Sequence, residues 1–168
     1  MFTQHLVSIV ALPVTVTLIL PIMIVSGFHN ELFWGLESPT TAVLLAIGLL
    51  FICAGLILLF VTISFFISMG DGTIAPWTPL NKLITTGVYA YVRNPMLTGV
   101  FLILIGESAL IGSLPLTFYT LVFILINLFY IPLVEEPNLV ERFGIKYLIY
   151  KKKVSRWIPH QPRKQRAS

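Results

Sequence analysis

Two groups of polar residues in the last third of the chain have the side-chain types that bind small charged molecules. Arg93 and Asn94 form the first group, and Glu135 and Glu136 form the second. Arginine and asparagine donate hydrogen bonds to a carboxylate, whereas glutamates accept them from an ammonium and attract a sulfonium. A site that contains both groups would suit an amino-acid-like ligand. We take Arg93 and Glu136 as the candidate catalytic residues.

The segment 96–134 between the two groups is almost entirely apolar and carries one formal charge, Glu107. A transmembrane helix needs about 20 residues, so this segment is long enough for two crossings. The sequence Gly-Ser-Leu-Pro at 112–115 lies where a tight turn would join them. The sequence therefore predicts a helical hairpin, which would bring both polar groups to one face of the membrane.

The polar residues also fit the ends of these two helices. Pro95 suits the first turn of the third span, and Asn94 suits the N-cap before it. Glu135 and Glu136 end the fourth span, where the helix dipole disfavours a carboxylate unless a cation such as Arg93 or a cationic ligand is close. Neighbouring helix positions point about 100° apart, so at most one of the glutamates is expected to face the helix bundle.

The composition indicates an integral membrane protein. Hydrophobic residues make up 57% of the chain and charged residues 11%, whereas soluble domains have about 25% charged residues. We predict an all-α fold with about four transmembrane helices, the third and fourth forming the hairpin, plus a C-terminal amphipathic interfacial helix. The first two spans are predicted at 6–28 and 41–69. The amphipathic pattern runs from 139 to 157, with Leu139, Phe143, Tyr147 and Tyr150 on its apolar face.

The chain divides into two parts on this interpretation. Residues 1–69 hold two N-terminal transmembrane helices, and residues 70–168 form a catalytic unit with a cytosolic cofactor-binding loop, the hairpin and a basic C-terminal helix and tail. Lys82 and Arg93 lie between the second and third spans, and every other Lys or Arg follows Val134. The positive-inside rule then predicts that both termini and the site are cytoplasmic.

Metal and nucleic-acid sites are not indicated. No pair of His, Cys or acidic residues has metal-ligand spacing, so we expect no metal. The basic tail has no stacking module beside it, so we expect attraction to the membrane surface and no nucleic-acid partner.

Several separately spaced motifs resemble one protein family. Gly-x-Tyr-x-x-x-Arg-Asn-Pro occupies 87–95, Glu-Glu follows the hairpin, and Phe-Gly-x-x-Tyr-x-x-Tyr at 143–150 precedes Val-x-Arg-Trp-Ile-Pro at 154–159. The pattern covers about residues 76–159. It resembles the membrane methyltransferases that include isoprenylcysteine carboxyl methyltransferase and the phospholipid N-methyltransferases. The resemblance implies S-adenosylmethionine as methyl donor at the cytosolic face and a lipid or isoprenoid-like substrate in the membrane.

The resemblance also implies which residues bind the methyl donor, with Glu135 holding its amino end. The cofactor-binding residues carried over by position are Asn81, Lys82, Leu83, Ile84, Tyr89, Asn94, Pro95, Met96, Leu97 and Glu135. Three positions depart from the family pattern. Asn94 stands where the better-known eukaryotic members have histidine, Leu97 replaces the usual tyrosine, and Ile131 replaces an arginine that contacts substrate in the isoprenylcysteine enzymes. The Ile131 departure weakens the case for a prenylcysteine carboxylate as acceptor.

The implied reaction is direct methyl transfer, and its acceptor stays open. A carboxylate acceptor needs no base, whereas an ammonium must first lose a proton, which Glu136 or water could accept. An isoprenoid carboxylate or thiol, a phospholipid amine and another small amphiphile are all compatible with the pattern. One alternative is an NADPH-dependent reductase of the sterol type, although residues 132–134 supply no arginine for the 2′-phosphate. The other is a non-catalytic lipid-binding protein on the same scaffold.

Overall fold

The computed structural model describes residues 12–28, 39–68 and 83–159, and these residues are mostly helical. The helices are α1 (Leu12–Gly27), α2 (Thr40–Ser68), α3 (Pro95–Ile111), α4 (Leu114–Tyr130), α5 (Glu136–Phe143) and α6 (Ile145–Lys153), with a 3-10 turn at Gly87–Ala90 and π-helical turns at Thr15–Ile19 and Ile131–Glu135. Within these ranges, strand-type pairing is limited to one isolated bridge, between Val92 and Ser155. The predicted all-α fold is confirmed for this part of the chain.

Two stretches of helix are long and apolar enough to cross a membrane. They are Thr40–Phe65 within α2 and the continuous stretch Leu114–Phe143, which includes α4 and α5. α1 and α3 are apolar but shorter. Large apolar side chains point outward from the long stretches, with Phe60 73% and Leu133 70% exposed, and an exposed surface of this kind suits lipid. The membrane class agrees with the sequence, while the number of four crossings stays a prediction.

The hairpin turn lies where the sequence predicts it. α3 ends before Gly112, whose φ of 66° falls in the left-handed region that glycine adopts without strain. The Gly112 N–H donates to the Ser108 carbonyl at 3.0 Å. α4 then begins with Pro115 in its first turn, where a missing N–H costs no hydrogen bond. Two residues thus reverse the chain between α3 and α4.

α2 and α3 approach each other closely at two pairs of glycines. A Cβ atom at Gly106 would lie 2.6 Å from the carbonyl oxygen of Gly48, and one at Gly55 would lie 2.7 Å from that of Gly99. Any larger residue would therefore push the two backbones apart. Small residues at such positions let membrane helices pack at short range. This contact fixes α3, the helix that carries Asn94 at its start.

α4 continues into α5 through the π-helical turn Ile131–Glu135, where the N–H of Glu136 donates to the carbonyl of Ile131. Pro132 lies inside the turn and has no N–H to donate, so the regular α-helical pattern is interrupted here. A π turn contains one extra residue, which rotates the residues that follow by about 100° compared with a regular helix. The turn therefore sets the directions of Glu135 and Glu136.

The C-terminal region differs from the single amphipathic helix predicted at 139–157. The structure has two helices there, α5 and α6, which are separated at Gly144. The φ of 56° and ψ of −134° at Gly144 are not helical and favour glycine, so the helical phase is interrupted. The predicted apolar face is correct in its members, which pack together as buried or partly buried residues: Leu139, Phe143, Tyr147 and Tyr150. The interfacial location of this region stays a prediction.

The chain after α6 returns to the segment that precedes α3. The N–H of Arg93 donates to the Ser155 carbonyl at 2.9 Å, and the N–H of Asn94 donates to the Arg156 carbonyl at 3.3 Å. These backbone bonds hold the C-terminal segment beside the start of α3. They also make Arg93 and Arg156 neighbours, although the two residues are far apart in sequence.

Candidate functional site

The carboxylate of Glu136 lies at the centre of a cluster of charged side chains. Its Oε1 lies 2.9 Å from Nη1 of Arg93 and 2.6 Å from Nε of Arg156. Its Oε2 lies 2.6 Å from Nζ of Lys151. We refer to Arg93, Glu136, Lys151 and Arg156 as the Glu136 cluster. The polar groups on either side of the hairpin are therefore in direct contact, as the sequence predicts.

The burial of each side chain determines how much its ion pair contributes to the stability of the cluster. The side chains of Glu136 and Arg93 are 2% and 8% exposed. Removing one partner of a buried pair costs about 3–5 kcal/mol, because the other charge is left unpaired away from water. The Lys151 side chain is 41% exposed, and exposed pairs contribute only about 0–1 kcal/mol. The cluster thus depends mainly on Arg93 and Glu136.

The four residues of the Glu136 cluster lie on separate elements of the fold. Glu136 follows the π turn and begins α5, and Lys151 lies in the last turn of α6. Arg93 and Arg156 come from the two segments that are joined by backbone hydrogen bonds. The cluster can therefore form only when the hairpin has closed and the C-terminal segment has folded back onto it.

Two buried tyrosines of α6 contact the cluster and the turn beside it. Nη1 of Arg93 donates to the Tyr147 hydroxyl at 3.3 Å, and the Tyr150 hydroxyl donates to the Tyr89 carbonyl at 2.7 Å. Burial raises the pKa of the Tyr147 hydroxyl, and the nearby Glu136 charge acts in the same direction. Burial also raises the pKa of Tyr150. Both hydroxyls therefore stay protonated at neutral pH and keep their ability to donate.

Glu135 has a different environment from its neighbour Glu136. Its side chain is partly buried, and no ion pair with a cation joins it in the part of the chain that the structure describes. Burial raises the pKa of the Tyr89 hydroxyl, and nearby Tyr150 and Glu135 act in the same direction. Tyr89 therefore lies within range of the Glu135 charge. The two adjacent carboxylates thus differ: Glu136 pairs with three cations, whereas Glu135 pairs with none among the described residues.

Asn94 occupies the N-cap position of α3, but its side chain makes no capping hydrogen bond. Its carbonyl instead accepts hydrogen bonds from the N–H and the hydroxyl of Thr98 at 3.0 and 2.8 Å. Pro95, in the first turn, is buried. The N–H groups of Met96 and Leu97 have no partner within α3, because first-turn amides have no preceding carbonyl to bind. A carboxylate would be stabilised at this helix start.

Three of the remaining predicted cofactor residues lie in the segment before α3, and two fall outside the described residues. Tyr89 is in the 3-10 turn before α3. Leu83 and Ile84 are partly buried, and Leu83 packs against the buried residues Tyr147 and Tyr150. Asn81 and Lys82 fall outside the described residues.

Sequence reasoning did not assign three residues that the structure brings to the site. The sequence pattern places Lys151 and Arg156 among the basic residues of the C-terminal helix and tail, and Tyr147 on an apolar helix face. Arg156 had a usable signal, because it is the arginine of the Val-x-Arg-Trp-Ile-Pro motif. Lys151 had none, since it stands in a run of three lysines.

Comparison with known proteins gives three findings. A sequence model described as phospholipid methyltransferase matches residues 40–146, more than half of the chain. Protein-S-isoprenylcysteine O-methyltransferase of Schizosaccharomyces pombe is 39% identical over 83 residues, which are 48% of this chain and 34% of that protein. The protein of the same name from Saccharomyces cerevisiae is 38% identical over 78 residues, 46% of this chain and 32% of that protein. The match spans about a third of the length of these curated relatives, and no solved structure matches.

Proposed function

The chain belongs to the phospholipid methyltransferase family, and we propose that it transfers a methyl group from S-adenosylmethionine to an amphiphilic acceptor in the membrane. The family match includes the start of α3 and both glutamates. The two O-methyltransferase relatives support the same type of reaction. Transfer would take place on the cytoplasmic side, because the positive-inside rule predicts that the start of α3 lies there.

The observation that carries the proposal is the contrast between the two adjacent glutamates. Three cations surround Glu136, whereas Glu135 has no cation partner among the described residues. S-adenosylmethionine has an ammonium, a carboxylate and a sulfonium, so it requires one open carboxylate and one group of donors. Glu135 supplies the first and the start of α3 supplies the second. The buried Nε of Arg93, which has no hydrogen-bond acceptor among the described residues, is a further donor.

The residues of the chain would act mainly by binding and orientation. The cofactor supplies an electrophilic methyl carbon when it is bound. Glu135 would bind its ammonium, and the Asn94 amide with the N–H groups of Met96 and Leu97 would bind its carboxylate. The Tyr89 hydroxyl, protonated at neutral pH, would donate a hydrogen bond beside Glu135. Alignment of reacting groups alone can contribute about 7–11 kcal/mol to a bimolecular transfer.

We assign Glu136 a positioning role in this site, beside the donor Nε of Arg93. Both oxygens of Glu136 already lie within ion-pair distance of the protein's own cations. Its function would be to hold Arg93 and Arg156 at the start of α3. This arrangement suits an acceptor that needs no base, and a carboxylate is such an acceptor. Ile131 removes one arginine relative to the isoprenylcysteine enzymes, but three cations remain around Glu136.

The proposal can be tested by cofactor binding. Glu135→Gln and Asn94→Ala should each weaken S-adenosylmethionine binding, measured by calorimetry in detergent micelles. Loss of a hydrogen bond to a charged group costs about 1.5–3 kcal/mol, or about ten- to hundred-fold in Kd. Glu141→Gln, an exposed change of the same type outside the site, is the matched control. An unchanged Kd in a folded Glu135→Gln protein would refute the assignment of Glu135.

The same preparation separates the two alternative functions. A thermal-shift comparison of S-adenosylmethionine with NADPH should give stabilisation by S-adenosylmethionine alone, because a ligand that binds only the folded state raises its stability. Stabilisation by NADPH would favour the reductase. Stabilisation by neither would favour a lipid-binding protein without catalysis.

A further inference from the structure

α6 has two apolar faces, and only one of them packs on the rest of the protein. Tyr147 and Tyr150 are buried against the site. Ile145, Leu148 and Ile149 are instead 68%, 39% and 48% exposed. At about 100° per residue, these three side chains project from the side opposite the two tyrosines. Three large apolar side chains exposed side by side on a short helix indicate a partner that excludes water from them.

Exposed lysines lie within this second apolar face and along one of its edges. Lys146, Lys152 and Lys153 are exposed, and α6 contains no acidic residue. Among the described residues, ion pairing by lysines of α6 is limited to Lys151, which contacts Glu136. Exposed apolar residues next to unpaired lysines are typical of helices that lie on anionic membrane surfaces.

The position of α6 along the chain fits the same partner. The apolar stretch Leu114–Phe143 is long enough to cross a membrane, and Gly144 alone separates it from Ile145. α6 therefore begins where the chain leaves the apolar stretch. A surface at that level is continuous with the membrane that the protein already occupies.

We propose that the outer face of α6 docks on the headgroup region of a bilayer that contains anionic lipid. The outer face consists of Ile145, Lys146, Leu148, Ile149, Lys152 and Lys153. Its apolar side chains would enter the region below the headgroups, and its lysines would pair with anionic headgroups. The bilayer would then hold α6 from outside, while Tyr147, Tyr150 and Lys151 contact the site from inside. This docking does not depend on the proposed methyl transfer.

The proposal can be tested with an environment-sensitive fluorophore on α6. Cys53→Ser removes the native thiol, and Ile149→Cys then provides one labelling position. The full chain is placed, one copy per disc, in nanodiscs of phosphatidylcholine alone or with an equal share of phosphatidylglycerol. The label emission should shift to the blue in the anionic discs, and high salt should reverse the shift because salt screens surface charge.

A charge-removal variant measures the contribution of the lysines. Each lysine near an anionic surface contributes about five-fold to binding, so Lys152→Gln combined with Lys153→Gln should lower the ratio of docked to undocked α6 by about 30-fold. A label at Leu133→Cys, on the exposed surface of the long apolar stretch, is the control and should give the same emission in both lipids.

Two results would overturn the proposal. The first is equal emission from the Ile149 label in neutral and anionic discs. The second is a blue shift that the double lysine variant leaves unchanged, which would indicate an apolar partner other than anionic lipid. Neither measurement requires S-adenosylmethionine, so failure of the docking proposal is distinguishable from failure of the proposed function.

Discussion

Glu136→Gln is the substitution with the largest expected effect on stability. The change preserves side-chain shape but removes the single carboxylate that three cations share. Arg93 is 8% exposed and would be left as a buried cation without its partner. Breaking a buried pair in this way costs about 3–5 kcal/mol. For a chain of this size the midpoint of thermal unfolding changes by about 2–4 °C per kcal/mol, so a fall of about 6–20 °C is expected.

Lys151→Gln is the matched comparison, because it removes a charge from the same carboxylate at an exposed position. Its side chain is 41% exposed, so the expected cost is about 0–1 kcal/mol, or at most about 4 °C. Thermal unfolding in detergent micelles, followed by tryptophan fluorescence, measures both variants. Equal midpoints for the two variants, or a Glu136→Gln midpoint close to that of the unmodified chain, would refute the view that a buried ion pair holds the site together.

Three further predictions concern packing, the tyrosines and the membrane. Gly106→Ala would overpack the contact between α2 and α3, at a cost of about 1–3 kcal/mol in thermal unfolding, whereas Gly27→Ala, with nothing within 4 Å, should be neutral. Tyr150→Phe removes a buried hydrogen bond and should weaken S-adenosylmethionine binding about two- to tenfold in calorimetry, whereas Tyr130→Phe, at an exposed position, should not. S-adenosylmethionine should bind more tightly in anionic than in neutral nanodiscs, and the Lys152→Gln, Lys153→Gln double variant should abolish the difference. Equal affinities in the two lipids would show that docking of α6 on the bilayer does not affect cofactor binding.

The helices and the hairpin could be predicted because their signals are local. The apolar segment 96–134 is long enough for two helices, and glycine and proline stand together at 112–115. Closing the hairpin then brings Arg93 and the two adjacent glutamates to the same end of the helix pair. The contact between them is confirmed at 2.9 Å.

The remainder of the site depends on contacts between residues that are distant in sequence. Arg156 reaches Glu136 because the segment after α6 pairs with the segment before α3, and no periodic pattern indicates that pairing. The break at Gly144 was missed because the apolar spacing continues across it, from Phe143 to Tyr147. Gly144 has a positive φ, which glycine adopts at lower steric cost than any other residue. A hydrophobic pattern contains no information on backbone angles.

The choice between the two glutamates was only half predictable. Helical geometry requires adjacent residues to point in different directions, so the sequence predicts that at most one of the two faces the bundle. Which of the two faces the cations depends on the π turn around Pro132, because one extra residue rotates everything after it. A regular helix through this region would give a different answer.

Transfer of a labelled methyl group tests the central claim most directly. The folded chain is incubated with S-adenosylmethionine that carries a labelled methyl group, in membranes that contain native lipids. Label should appear in the lipid fraction and be released as methanol by alkali, as expected for a methyl ester, and Glu135→Gln should slow its appearance about ten- to hundred-fold at a limiting concentration of S-adenosylmethionine. Absence of label from a folded protein, or equal labelling by Glu135→Gln, would contradict the account.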